Sequence, residues 1–395
     1  MRILMVTFTP WDPNLGIVRP HDELAGELRR RGHQVDTFSA DDIIEKVESG
    51  AHFRQITEKA LLDRGLDYDV IDAIQGSFVK PVEWGKEGPA VIVRSPGLYL
   101  HYDRFEALSA SWRREEMWLK RFLKRLKRKV SDYLKDGNDP IVDSRDHLDS
   151  LIHSDRILVL NRDEKRTLEE ELGLGEKTRY IPGLIPRENL KLLNEAGRER
   201  AAYKKEARII HHVVALGNWG LRKGALDWGQ IITDVWAVSP EVTFSFLGTM
   251  MPDRVVWADL GISRSDGRVS LIQRFEHDSL PELLREATVG ALPSYIEGFG
   301  LAVLEMLGSG LPVIAYDVPG PREMLKKMAP PESYLVTPGD TKSFSNALLR
   351  LIGSNKEDYT NDSDMAKRVA SAFVLEDWYD EVINVYEEAM ESAKS

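Results

Sequence analysis

The sequence has 395 residues, 42% of them hydrophobic and 30% charged, a globular composition long enough for two or three domains at about 150 residues each. Its 53 Lys and Arg against 64 Asp and Glu give a net charge of −11, which opposes a general nucleic-acid binder, because displacing counterions from phosphates takes a dominant basic surface. With no cysteine, disulfides, thiol nucleophiles, thiolate zinc sites and iron–sulfur clusters are excluded together, and no apolar run reaches the roughly 18 residues of a spanning helix.

Residues 2–8 (RILMVTF) read as a buried strand, being short, apolar and followed by Pro10 and Pro13. The loop WDPNLGIVRP leads into HDELAGELRRRGH, a helix with Leu24 and Leu28 on one face and Gly32 at its C-cap. QVDTFSA alternates in period two and reads as the next strand. Strand, loop, helix, strand opens a parallel series. Residues 67–74, 90–95 and 156–161 continue it as strands, DEKRTLEEEL follows as a helix, and 179–186 reads as a short closing strand. Residues 191–206 are charged and poor in β-branched side chains, the composition of a linker that can also form a helix.

A second series then begins. Strands are predicted over 207–217, 242–248, 268–275, 288–294, 311–317 and 333–338. Helices are predicted over 224–239, 279–287, 301–310, 342–353 and about 376–392. The pattern predicts an α/β protein of two Rossmann-like, doubly wound domains facing across a cleft, with ligands at the carboxyl ends of the strands.

Common cofactor signatures are missing. No G-x-G-x-x-G follows the first strand, no G-x-x-x-x-G-K-[ST] occurs, and no G-x-S-x-G elbow is present. No histidine pair has helical metal-ligand spacing; His211 and His212 are adjacent in a strand and point to opposite faces. The informative segment is PSYIEGFGLAVLEMLGSGLPVIAYDVPGPREML (293–325). It reads as a strand, a Gly-Phe-Gly turn and a helix starting near Leu301. Gly298 and Gly300 permit positive φ and close approach of a ligand to the backbone. The amides from about Phe299 to Ala302, at the positive end of the helix dipole, suit an anion such as a diphosphate. Glu297 and Glu305 stand on either side of the turn, and carboxylates accept from paired hydroxyls such as those of a sugar or ribose. Two glutamates beside a turn can equally be surface groups that favour the dipole. Similarly, Arg222 and Lys223 in ALGNWGLRKG (215–224) can clamp a diphosphate or form a solvated basic turn.

The segment 293–325 resembles the retaining GT-B glycosyltransferases of family 4, whose E-x7-E hallmark stands here as Glu297-Gly298-Phe299-Gly300 through Glu305 and is followed by Gly310-Leu311-Pro312-Val313-Ile314-Ala315. The resemblance implies that Glu305 binds the nucleotide ribose and Glu297 the donor sugar, with the amides of Phe299, Gly300 and Leu301 meeting sugar hydroxyls and phosphate. It implies that Lys223 and Arg222 stabilise the departing diphosphate. LGIVRPHDELAGELRRRGHQV also resembles the family's first loop and helix, which implies that Gly16 lies in the loop over the diphosphate. The family often carries a histidine after the strand at 90–95; here the turn is Arg94-Ser95-Pro96-Gly97, so Arg94, Ser95 and nearby His101 are the acceptor-side candidates. In domain terms the resemblance implies an N-terminal acceptor-side domain 1–190, a C-terminal nucleotide-sugar domain 207–375 and a final helix, 376–395, that crosses back onto the first.

Residues 112–135 carry ten Lys or Arg and three Asp or Glu, a net +7, with apolar positions at helical spacing. Such a helix can lie on an anionic membrane or pack its stripe on the first domain. The expected function is metal-independent transfer of a hexose, with retention, from a nucleotide diphosphate sugar to an acceptor hydroxyl. No cofactor, metal or nucleic acid is expected. Family frequency favours a UDP-sugar over GDP-mannose, and a carbohydrate or lipid-linked acceptor in cell-surface polysaccharide or glycolipid synthesis. The N-terminal residues lack a long apolar core and a small-residue cleavage site, so the expected location is cytoplasmic, peripheral at the inner face of the membrane if 112–135 meets lipid. The competing readings are a nucleotide-sugar epimerase or hydrolase on the same fold, and a catalytically silent nucleotide-sugar-binding scaffold.

Overall fold

The computed structural model describes residues 1–43, 53–62, 67–85, 87–110, 144–203, 211–374 and 377–394. The chain divides into two compact units, Met1–Ile181 with Asp377–Ser395, and Pro182–Glu376. The basic segment 112–135 lies outside the described residues.

The first unit contains β1 (Arg2–Val6), α1 (Arg19–Arg30), β2 (Gln34–Phe38), α2 (Phe53–Leu62), β3 (Val70–Ile74), β4 (Ala90–Arg94), α3 (residues 99–110), α4 (Ser144–Ile152), β5 (Arg156–Val159), α5 (Arg162–Glu170) and β6 (Thr178–Tyr180). Its sheet is parallel throughout, in the order β2-β1-β3-β4-β5-β6. Strands covered on both faces read as apolar runs, and all five residues of β3 are buried. Helix α1 shows why its sequence is helical. Pro20 stands in the first turn, Arg29 and Arg30 in the last, and His21, Leu24, Ala25 and Leu28 form one buried stripe.

The second unit contains α6 (Arg187–Tyr203), β7 (His212–Leu216), α7 (Trp228–Val238), β8 (Thr243–Leu247), α8 (Asp253–Leu260), β9 (Val269–Ile272), α9 (Leu280–Leu283), β10 (Val289–Leu292), α10 (Leu301–Gly308), β11 (Val313–Tyr316), α11 (Pro319–Leu325), β12 (Leu335–Val336), α12 (Thr341–Ile352) and α13 (Lys356–Ser371). Its parallel sheet runs β12-β11-β10-β7-β8-β9. The order reverses between β7 and β10, so this unit has its topological switch point there.

Two expectations change. The strand predicted over 179–186 stops at Tyr180, and the boundary placed at 190 falls at Ile181. Residues 182–190 go with the second unit because the Ile185 amide bonds to the Phe373 carbonyl at 3.3 Å, while the Leu190, Leu193 and Ile185 side chains crowd the face of Gly308. The linker predicted over 191–206 is, as far as residue 203, part of α6, and α6 packs on α10. Its alternation of charged and apolar residues looked like solvated chain until a partner helix was present to cover Leu190 and Leu193. Helices α2, α3, α4, α8, α11 and α13 were also not legible. Helix α13 is mostly polar, and the Asn355 side chain caps it by accepting from the Asp358 amide.

The last helix, α14 (Trp378–Lys394), packs on β4 and α1 within the first unit. It is anchored by a buried polar knot. Arg94 donates to both Asp72 oxygens at 2.8 and 2.7 Å, and Tyr386 of α14 donates to Asp72. Asp72 is completely buried in the middle of β3, so its charge depends on these donors. His21 lies nearby; burial, then the Arg94 charge, lowers its pKa to about 4, and its ring is neutral at physiological pH. Among the described residues no helix is long and apolar enough to cross a membrane. Tyr386→Phe, which removes one donor from a buried carboxylate, is expected to lower stability by about 1–3 kcal/mol in urea unfolding.

Candidate functional site

The two loops singled out in the second unit meet at the switch point. β7 ends at Leu216 and runs into 217–224; β10 ends at Leu292 and runs into 293–300. Because β7 and β10 are neighbours, both loops leave the same edge of the sheet. They are then stitched together. The Tyr295 amide donates to the Arg222 carbonyl at 2.8 Å. Gly224 has φ +72°, and a Cβ there would stand 2.2 Å from the Pro293 carbonyl oxygen. Only glycine supplies both the left-handed turn and the close approach.

This stitching brings Lys223 to Glu297. The Lys223 ammonium donates to Glu297 Oε1 at 2.5 Å, with side-chain exposures of 15% and 8%. Burial pushes the Glu297 pKa up, but the Lys223 and Arg222 charges outweigh it and hold the carboxyl below its ordinary 4.5. Burial, supported by the Arg222 charge, lowers the Lys223 pKa against the pull of Glu297. Arg222 reaches the Ile296 carbonyl at 3.4 Å and Asn218 Oδ1 at 3.3 Å, so its guanidinium lies along the same loop pair.

The turn beyond Glu297 is held from beneath. Gly300 has φ +85° and caps α10. A Cβ on Gly320 would stand 2.5 Å from the Phe299 carbonyl, so the start of α11 presses directly on the turn. The Phe299 ring is buried edge-on to Phe373, centroids 5.5 Å apart, and acts as an anchor. Among the described residues, the amides of Phe299, Gly300, Leu301 and Ala302 donate no hydrogen bond, and these four N–H groups form the positive end of α10.

Glu305 lies one turn further along α10, with 9% side-chain exposure, and its Oε1 is 2.9 Å from His277 Nε2. Below the loops, Asp227 Oδ2 accepts from Tyr295 at 2.8 Å and from Tyr316 at 2.6 Å. Burial raises the Asp227 pKa against both hydroxyl donors. This trio ties the start of α7, the 293–300 loop and the end of β11 together.

Sequence reading missed His277, Asp227 and Tyr316. His277 and Asp227 lie outside the quoted motifs, and Tyr316 stands inside an apolar run that reads as strand. His277 meets Glu305 across 28 residues, a separation with no local signal. In the first unit the candidates fare differently. Arg94 is taken up by Asp72 and Tyr386, as described above. Ser95 is 1% exposed and faces Glu164, whose pKa burial raises to about 7. His101 Nε2 is 3.1 Å from Thr167 Oγ1 and bridges α3 to α5. Arg94 and His101 thus have bonding partners within the first unit. Gly16 has open space around the position of a Cβ, so nothing in the loop demands glycine there.

Residues 210–354 match the family model described as glycosyl transferases group 1. A segment of 164 residues is 27% identical to the GtfA subunit of the UDP-N-acetylglucosamine–peptide N-acetylglucosaminyltransferase of Streptococcus agalactiae, covering 39% of this chain and 31% of that protein. Another 164-residue match, 25% identical, is to the lipopolysaccharide core biosynthesis mannosyltransferase LpsB of Rhizobium meliloti, covering 42% and 44%. The chain thus spans less than half the length of these curated relatives. In structure it resembles sucrose-phosphate synthase of Thermosynechococcus elongatus, with a TM-score of 0.68, 16% identity and 98% of each chain covered. It also resembles Anabaena HepE, solved with UDP and glucose, with a TM-score of 0.61, 15% identity and 100% of each chain covered. The fold is GT-B.

The ion pair makes a testable statement about pH. A carboxyl with a depressed folded pKa contributes stability above its unfolded pKa and loses it as pH falls through the folded value. Lys223→Met removes the larger of the two charges that depress the Glu297 pKa and moves that pKa up. The fall of Tm on acidification is therefore expected to be smaller in Lys223→Met than in the wild type, because a Glu297 no longer so depressed in the folded state gives acid less preference for the unfolded chain; equal falls would show that the pair carries no linkage.

Proposed function

We propose that the chain is a retaining, metal-independent hexosyltransferase that takes its sugar from a nucleotide diphosphate donor and passes it to an acceptor hydroxyl. The observation that carries this reading is the Lys223–Glu297 pair beside the unpartnered amides of α10, at the switch point of a parallel sheet. A diphosphate placed there meets N–H groups, a helix dipole and two cations together.

In this reading Lys223 and Arg222 neutralise the charge that develops on the departing diphosphate, the task a metal ion performs elsewhere. Glu297 accepts from donor-sugar hydroxyls while its charge keeps Lys223 in place. Gly298, Phe299, Gly300 and Leu301 supply backbone to the sugar and phosphates, and Glu305 accepts from the ribose. A front-face transfer, in which the leaving phosphate oxygen takes the acceptor proton, asks for no enzymic base, and Pro96 stands where relatives often carry histidine. Gly16 lies in the loop assigned to the diphosphate in this family.

A UDP-sugar is the favoured donor; the Anabaena relative solved with UDP and glucose supports that class. A carbohydrate or lipid-linked acceptor of a cell-surface polysaccharide or glycolipid is supported by the lipopolysaccharide mannosyltransferase among the relatives. The net +7 of residues 112–135 supports a cytoplasmic chain working against an anionic membrane.

Two measurements test the proposal. A thermal-shift panel of UDP, GDP and ADP with their sugar conjugates, run with and without EDTA, is expected to show one nucleotide stabilising by roughly 2.7 kcal/mol at 100 times its Kd, unaffected by EDTA. No shift with any of them would leave the silent-scaffold reading. Lys223→Ala is expected to lower kcat by about 10²–10³ with donor turnover as the assay; near-normal turnover would remove Lys223 from the mechanism.

A further inference from the structure

We propose that His277 is a positioning residue that sets the plane of the Glu305 carboxylate and thereby fixes recognition of the nucleotide's ribose hydroxyls. The inference rests on Glu305 being the ribose group. It goes beyond that reading by assigning the discrimination between ribose and deoxyribose to a residue outside every quoted motif.

Glu305 lies in the most enclosed stretch of the unit, with Leu304, Met306 and Leu307 completely buried beside it on α10. A glutamate has three side-chain torsions, so burial of its neighbours does not by itself fix where the two oxygens point. His277 does. Its Nε2 is 2.9 Å from Oε1, which makes Nε2–H the donor and sets the ring tautomer. The imidazole itself is held in the turn His277–Ser279, which leads directly into α9 and is pinned by the Ser279 amide and hydroxyl donating to the Glu276 carbonyl at 2.9 and 2.7 Å. Side-chain exposure is 19% for His277 and 9% for Glu305, so the contact is shielded from water and competes well against solvation.

A carboxylate offers about four lone-pair directions, so accepting from His277 leaves capacity for a vicinal diol. What the histidine adds is direction. A diol is recognised only when both hydroxyls reach the carboxylate in one plane, and a carboxylate free to rotate loses that selectivity while keeping its charge. The consequence is specific. Loss of His277 weakens binding of the ribonucleotide but leaves binding of the deoxynucleotide nearly unchanged.

The experiment measures Kd by calorimetry for whichever of UDP, GDP and ADP binds the full chain most tightly, together with its 2′-deoxy and 3′-deoxy forms. Wild type, Glu305→Ala, His277→Ala and His277→Gln are compared, with Tm recorded for each. Wild type is expected to prefer the ribonucleotide by about tenfold or more, the scale of one hydrogen bond to a charged group. His277→Ala is expected to lose most of that preference, and His277→Gln, whose amide N–H₂ donates at similar reach, to regain it. If His277→Ala weakens ribo- and deoxynucleotide alike, or if Gln restores nothing while its Tm is normal, the positioning role is overturned. Preference retained in Glu305→Ala would overturn the ribose reading beneath it. Preference lost in Glu305→Ala but kept in His277→Ala would overturn this inference alone. A wild-type chain that binds none of the three nucleotides would overturn both.

Discussion

A buried ion pair at the end of a parallel sheet organises the second unit. Lys223 and Glu297 are 74 residues apart in sequence and 2.5 Å apart in space. Neither would tolerate burial alone, since an unpaired buried charge costs several kcal/mol. Their pairing requires β7 and β10 to be neighbours, their loops to leave the same edge, and Gly224 to let the loops touch. Each condition is met by the strand order and by one glycine. The pair also explains how the site can hold cations near buried apolar surface before an anion arrives.

The rest of the site is arranged around that pair by packing. Phe299 faces inward as an anchor, so the backbone on either side of it faces the helix start. Gly320 allows α11 to press on that backbone, and the Asp227, Tyr295 and Tyr316 trio braces the loop from below. A turn held on two sides keeps its N–H groups aimed without side-chain capping, which suits a site whose ligand supplies the cap. The first unit uses its polar residues differently. Arg94, Asp72 and Tyr386 tie the last helix to the sheet, and Glu164, accepting from the Leu98 amide at 3.2 Å, braces the turn after β4.

Among the described residues, eleven of the twelve strands lie within segments read as strands and β6 begins one residue before its segment, because parallel strands covered on both faces appear as short apolar runs between breakers. Helices were harder. Those with a clear apolar stripe, such as α1, α7 and α12, were legible; α13 was not, because much of its length is polar, and α6 read as a linker that can also form a helix. In the site, the E-x7-E residues and the Arg-Lys pair were legible because glycine and charge stand out at fixed spacing. For Arg94 and His101, proximity to a strand end did not reveal the partners Asp72 and Thr167 that the fold brings to them.

The sequence by itself determined the alternation of strand and helix, the glycines that permit tight turns, and the charged residues that stand next to them. All of these are local properties, written within a dozen residues. The tertiary structure alone decided which charges meet. It joined Lys223 to Glu297 and His277 to Glu305, placed Asp227 under two tyrosines, and turned Arg94 inward onto Asp72. Those contacts depend on strand order and on burial, and the free energy of a charge depends on what surrounds it rather than on its neighbours along the chain.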